Sequence, residues 1–206
     1  MQTEAIKRAY NFEIRAEKNE KHGDHIVGRP IVYDSRTDLG FFDEIIEKGA
    51  LDKANLKDVR FLVNHNTDMI PLARSRNNNE NSTMQMEIDA EGMAIRVNLD
   101  TENNTDARNL YSAVKRGDIT GMSFMFTIKR DEWDDLESEH PTRRIKEIDA
   151  VYEVSAVTFP AYNDTEISAR GALDNARDAL ESAKRRSLDS ENALELEKAK
   201  NRNKIF

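Results

Sequence analysis

The sequence predicts a β-rich domain with one clear helix and an appended helical tail. Apolar and polar residues alternate with period two in stretches spread from Lys7 to Phe159, the pattern of half-buried strands. One well-punctuated helical pattern, TDARNLYSAVKRG at 105–117, interrupts them. After Arg170 the strand signal stops and a weak, small-residue helical stripe replaces it. A chain of 206 residues suits one domain (1–170) followed by a tail (171–206) that is helical or partly disordered.

Composition narrows the function classes. The apolar fraction is 38% and the charged fraction 34%, enough for a core beneath a heavily charged surface. A net charge of -8 without clustered Lys and Arg argues against a nucleic-acid groove. The chain has no cysteine, which excludes disulfide stapling, thiolate catalysis and cysteine-ligated zinc and fits a reducing compartment. The opening MQTEAIKRAY has no apolar run, so no signal peptide is expected. No segment approaches the roughly 18 consecutive apolar residues of a membrane span.

In chain order, KRAYNFEIRA (7–16) reads as an opening strand, with Tyr10, Phe12 and Ile14 on one face. In IVGRPIVYDS, Gly28 and Pro30 mark a bulge or an edge rather than a central strand. FFDEII reads as a short strand or the entry to a helix, and Gly49-Ala50-Leu51 opens a turn or helix. In DVRFLVNHN (58–66), Val59, Phe61 and Val63 share a face that His65 continues at the strand's end. Residues 74–101 read as a hairpin turning at Asp89–Gly92, its methionines serving as core filler. The helix at 105–117 has Thr105 or Asp106 as cap and Ala107, Leu110, Tyr111 and Val114 as buried stripe; Gly117 is its left-handed stop. GMSFMFTIK follows as a strand with Met122, Phe124, Phe126 and Ile128 on one face and Ser123 on the other. Residues 130–142 read as an acidic surface loop holding the lone Trp133. The last strand, RRIKEIDAVYEVSAVTF, places Asp149, Val151, Glu153, Ser155 and Val157 on one face and stops at Pro160. In the tail, Arg185–Ser190 is expected to break the helical stripe.

Three of these positions form a chemical set. A hydroxyl is a poor nucleophile at neutral pH; it needs an imidazole to take its proton and an orienting group on the imidazole's other nitrogen. Ser123 beside the flexible Gly121, His65 at a strand end and Glu153 in an otherwise apolar row supply one of each. Pattern does not show that they meet: Ser123 also reads as an ordinary strand serine, and Glu153 as a carboxylate on a water-facing edge. The cluster KHGDH offers His22, Asp24 and His25 as a metal clip, but a structural zinc site needs a fourth ligand. His140 reads as a solvated loop residue, and Asp24, Asp34, Asp38, Asp43 and Glu44 form no evident carboxylate pair.

Three stretches carry a family resemblance: LVNHN around His65, KRGDITGMSFMF around Ser123 and EVSAVTFPAYNDT after Asp149. Over roughly Ala9 to Arg170 the chain resembles the prohead serine proteases of tailed bacteriophages. KGAL at 48–51 is similar to that family's P-G-A-F turn, with lysine and leucine substituted. The resemblance implies a fold like the herpesvirus assembly proteases, a mixed β-barrel with surrounding helices. It implies His65 as general base, Ser123 as nucleophile and Glu153 as third member, with Arg143 and Arg144 as oxyanion support. It also implies a peptidase needing no cofactor and no metal, acting in the host bacterial cytoplasm inside the assembling prohead. The implied partners are the major capsid protein with its scaffolding segment, or a separate scaffold protein, and the enzyme itself through autocleavage or self-association. Two rival readings stay open from the residues alone: a non-catalytic capsid assembly or scaffolding protein, and a binding module that adds peptides as strands.

Overall fold

The structure, a computed structural model, describes residues 5–10, 14–158 and 168–202. Phe12 of the expected opening strand, and Phe159–Thr165 with the expected stop at Pro160, lie outside the described residues.

The opening stretch is two strands in two sheets. β1 (Ile6–Tyr10) joins the first sheet and β2 (Ile14–Asn19) the second. The first sheet also holds β4 (Arg36–Asp38), β5 (Asp43–Ile46), β6 (Asp58–Val63), β7 (Ala73–Arg76), β10 (Gly121–Asp134) and β11 (Thr142–Val157). Its order is β1-β10-β11-β5-β4. β6 lies on the same edge of β11 as β5, farther along, and β7 lies outside β6. β5 and β6 both run parallel to β11, whereas β1, β10 and β11 alternate in direction. The second sheet is β2, β3 (Gly23–Val32), β9 (Gly92–Asn98) and β8 (Met84–Asp89) in that order, all antiparallel. Among the described residues the two sheets are open and do not close into the barrel the resemblance implied. Closure requires every edge strand to bond a neighbour, and no strand of the second sheet pairs with one of the first.

One core joins the two sheets. Ile26, Ile31, Met84, Met93 and Val97 from the second pack with Phe61, Met122, Phe124, Phe126, Val154 and Ala156 from the first. Met84 and Met93 are core filler, as their alternation implies. β3 is central rather than an edge, and its bulge falls between Gly28 and Ile31. Pro30, which lacks an N–H, sits where the ladder skips.

Helix α1 (Thr105–Arg116) buries Ala107, Leu110 and Val114. Its cap is Asn104, one residue before the expected Thr105 or Asp106; the Asn104 side chain accepts from the N–H groups of Asp106 and Ala107. Gly117 closes it at φ 80°. Helix α2 (Ser168–Arg202) runs 35 residues without the expected break. Arg185–Ser190 contains neither proline nor glycine, and polar residues on a solvated face do not stop a helix. No helix among the described residues is long and apolar enough to cross a membrane.

The largest departure is at 130–142. β10 continues to Asp134 and pairs with β11 out to Thr142, so the first five residues of the expected acidic loop are strand and only 135–141 connect the two. Its charges are cross-strand partners: Arg143 with Asp131 at 2.7 Å, Arg144 with Asp134 at 2.5 Å, Arg130 with Glu147 at 3.2 Å. Trp133 packs edge-on against Phe42 with 4.8 Å between ring centres, and the Arg143 guanidinium lies over it.

Candidate active site

The chain reaches Ser123 by a stiff route. α1 stops at Gly117, and β10 begins at Gly121, two residues before the serine. In β10, Ser123 has β1 on one side, opposite Ala9, and β11 on the other, opposite Ser155. It is fully buried.

His65 arrives from β6. That strand pairs in parallel with β11, Val63 opposite Ala156. His65 does not continue the strand, as alternation suggested. Asn64 and His65 both turn into the left-handed region, at φ 52° and 57°. That conformation is uncommon for a non-glycine residue and costs about 1–2 kcal/mol each. Local bonds offset this. The Asn64 amide donates to Thr158 Oγ1 at 3.0 Å and accepts from the Thr158 N–H at 2.9 Å. The Asn64 N–H donates to the Ala156 carbonyl, and the His65 N–H donates to Ser155 Oγ at 3.0 Å. The turn thereby folds the imidazole back over the end of β11.

Glu153 is two residues before Ser155 on β11 and is buried to 2% exposure. It does not sit on a water-facing edge, because β11 lies between β10 and β6. A skip in the β10 pairing leaves Tyr152 without a partner and exposed, while Val151 is buried, so the simple period-two division of this strand fails just before Glu153.

The structure brings the three together. His65 Nε2 lies 2.5 Å from Ser123 Oγ, and Nδ1 hydrogen-bonds Glu153 Oε1. An ionised carboxylate only accepts, so Nδ1 carries the proton and Nε2 presents its lone pair to the hydroxyl. The second carboxylate oxygen accepts from the Ser155 hydroxyl at 2.6 Å. Ser123 Oγ also lies 2.7 Å from the Arg8 carbonyl, a second acceptor for its single proton. Such a chain can generate a serine nucleophile. In this conformation the Ser123 hydroxyl is buried, with β1 paired alongside it.

Arg143 and Arg144 are not brought to Ser123. Arg143 is opposite Trp133 on the long hairpin, ten positions along β10 from Ser123, roughly 30 Å along the strand. Their partners are acids: Asp131 and Glu44 for Arg143, Asp134 and Glu47 for Arg144. The KHGDH residues do not converge. Asp24 bonds Thr101 and Lys18, and His25 faces the Gly23 carbonyl and Glu17. His140 is an exposed loop residue, as expected, but it has partners: its Nε2 lies 3.2 Å from Asp43 and 3.7 Å from Asp38, and Asp43 also holds Arg36.

Ser155 and the Arg8–Glu44 pair were not singled out from the sequence. A signal existed for Ser155, since period two puts it on the face of Glu153. None existed for Arg8 and Glu44. They form a buried bidentate pair at 2.5 and 3.0 Å that ties β1 to β5, with Arg143 at 3.5 Å. Burial by itself pushes the Glu44 carboxyl up, but the Arg8 charge and hydrogen bonds, with Arg143, outweigh it and hold it below the usual carboxylate range.

A family model described as caudovirus prohead serine protease matches residues 10–189. A curated relative, the prohead protease of Enterobacteria phage HK97, is 30% identical over 135 residues, covering 64% of this chain and 54% of the relative. The chain thus spans about half the length of that relative. The solved structure of the bacteriophage T4 capsid assembly protease aligns with 76% of this chain and 99% of its own, at 14% identity and a TM-score of 0.41.

Proposed function

The chain belongs to the caudovirus prohead serine protease family, and on that premise we propose that it is a serine endopeptidase that cleaves capsid or scaffold protein, and itself, during prohead maturation. The observation that carries the reading is the hydrogen-bonded run from Ser123 Oγ through the His65 ring to Glu153. Ser123 attacks the peptide carbonyl as His65 Nε2 takes its proton. Glu153 holds the ring by Nδ1 and stabilises the imidazolium that forms. His65 then protonates the leaving amine, an acyl-enzyme remains, and water repeats the cycle in reverse. The reaction takes place inside the assembling shell in the host bacterium. Its substrates are the capsid protein's scaffolding segment or a separate scaffold protein.

Residues 1–170 carry the chemistry in this reading, and 171–206 are an appended tail that engages scaffold or is removed by self-cleavage. Its support is the exposure of α2 beyond Ser187, where Leu188, Leu194 and Leu196 face solvent.

The test is co-expression of the chain with the capsid protein of its own phage, followed by gel analysis. Shortened capsid bands that disappear with Ser123→Ala are expected. Intact capsid protein beside the unaltered enzyme in assembled shells, or full trimming by the alanine variant, overturns the reading.

A further inference from the structure

We propose that Ser155 is a positioning residue that sets the His65–Glu153 pair; this rests on the catalytic reading of Ser123, His65 and Glu153. Ser155 is fully buried on β11, between β10 and β6. Its one proton goes to Glu153 Oε2 at 2.6 Å, and its oxygen accepts the His65 backbone N–H at 3.0 Å. Glu153 Oε1 in turn takes the Nδ1 proton of the same histidine. The bonds close a ring: His65 backbone to Ser155 hydroxyl, hydroxyl to carboxylate, carboxylate to imidazole. A single side chain thus fixes both ends of His65, the backbone and the far nitrogen of its ring.

The geometry requires such a device. The β6 ladder ends at Val63, and His65 stands beyond it in a left-handed turn that regular strand pairing does not hold. Glu153 is only 2% exposed, so its oxygens depend on donors from the protein. The Ser155 hydroxyl supplies one of these, and a hydrogen bond donated to an ionised group is stronger than a neutral one. When His65 becomes an imidazolium, that bond helps keep Glu153 aimed at Nδ1. Ser155 touches no reacting atom.

The experiment uses the full chain and a fluorophosphonate probe. Ser123 Oγ bonds to phosphorus, fluoride leaves, and the hydroxyl proton passes to His65. Ser155→Ala is expected to lower the limiting labelling rate about 10–100-fold, with the half-saturating probe concentration unchanged. Ser155→Thr, which keeps the hydroxyl, is expected to recover most of the rate. The low-field proton resonance of His65 Nδ1 is expected to move in the alanine variant and return in the threonine variant, changes a merely structural loss does not reproduce. If the alanine variant does not fold by circular dichroism, Ser155→Cys, a weak donor of similar shape, carries the same expected loss. Labelling that depends on Ser123 and His65 but runs at the original rate in both Ser155→Ala and Ser155→Cys overturns this inference alone. Labelling that survives Ser123→Ala, or none in the unaltered chain, overturns the catalytic reading and this inference with it.

Discussion

At the scale of single residues, the proposed mechanism gives the hydrogen-bonded members of the site unequal duties. Ser123→Ala and His65→Ala are each expected to lower capsid cleavage by about 10³-fold or more. The double variant is expected to be no worse than either single one, because the two act as a unit. Quantifying cut and uncut capsid protein over time checks this; multiplicative losses would argue for independent roles. Glu153→Gln keeps the shape of the side chain but presents an amide where Nδ1 needs an acceptor, favouring the wrong tautomer. Its expected loss is again about 10³-fold, with the fold retained by circular dichroism. The types of these residues were legible in the sequence, since the chemistry needs one hydroxyl, one imidazole and one acid. The left-handed backbone of His65 was not, although Asn64 before it is a residue that tolerates such a turn.

At the scale of elements, the site depends on where strands stop and what clamps them. Gly92 has φ 138°, and a Cβ there would lie 2.1 Å from the Ile31 carbonyl oxygen. Gly92→Ala is therefore expected to destabilise the β8–β9 hairpin on the order of 3 kcal/mol, read as a fall in denaturation midpoint. Gly117→Ala, with open space around it but φ 80°, is expected to cost only about 1 kcal/mol. The Arg8–Glu44 pair clamps β1, the strand over Ser123, to the sheet. Glu44→Ala removes the carboxylate that the buried Arg8 and Arg143 guanidiniums share and is expected to cost about 3–5 kcal/mol. Because Glu44 is held below its ordinary value when folded, its contribution is present above the unfolded carboxyl's range, near pH 4. It fades as pH falls through the depressed folded value. Unfolding midpoints between pH 6 and pH 2 are expected to fall more steeply for the unaltered chain than for Glu44→Gln; equal slopes would remove Glu44 from the acid response.

At the scale of the whole molecule, two open sheets share one core, and α2 leans on it by its first half. Ala183 is buried against the body, and the Arg177 guanidinium lies 5.0 Å from the centre of the Phe41 ring. The described side chains beyond Ser187 are exposed. Truncation after Ser187 is expected to leave the melting temperature within about 1–2 °C of the full chain. Removal of 171–206 is expected to lower it by several degrees, because it uncovers the Ala183 contact. Incorporation of each truncated chain into assembled shells tests the tail's proposed role; unchanged incorporation of both would exclude it.

The sequence by itself determined most of the alternating strands, the helix at 105–116 and the helical character of the tail, while the three candidate site residues stood out only with the family resemblance. The elements follow from period and punctuation, which are local. Only the tertiary structure decided that β5 and β6 run parallel to β11, that the charged run at 130–134 is strand, and that Arg8 meets Glu44. Parallel pairing, cross-strand ion pairs and buried salt bridges join residues far apart in the chain, and no local pattern records them. The same holds for the site: the identity of His65 was readable where it stands, but its reach to Ser123 depends on a partner strand that begins 77 residues later.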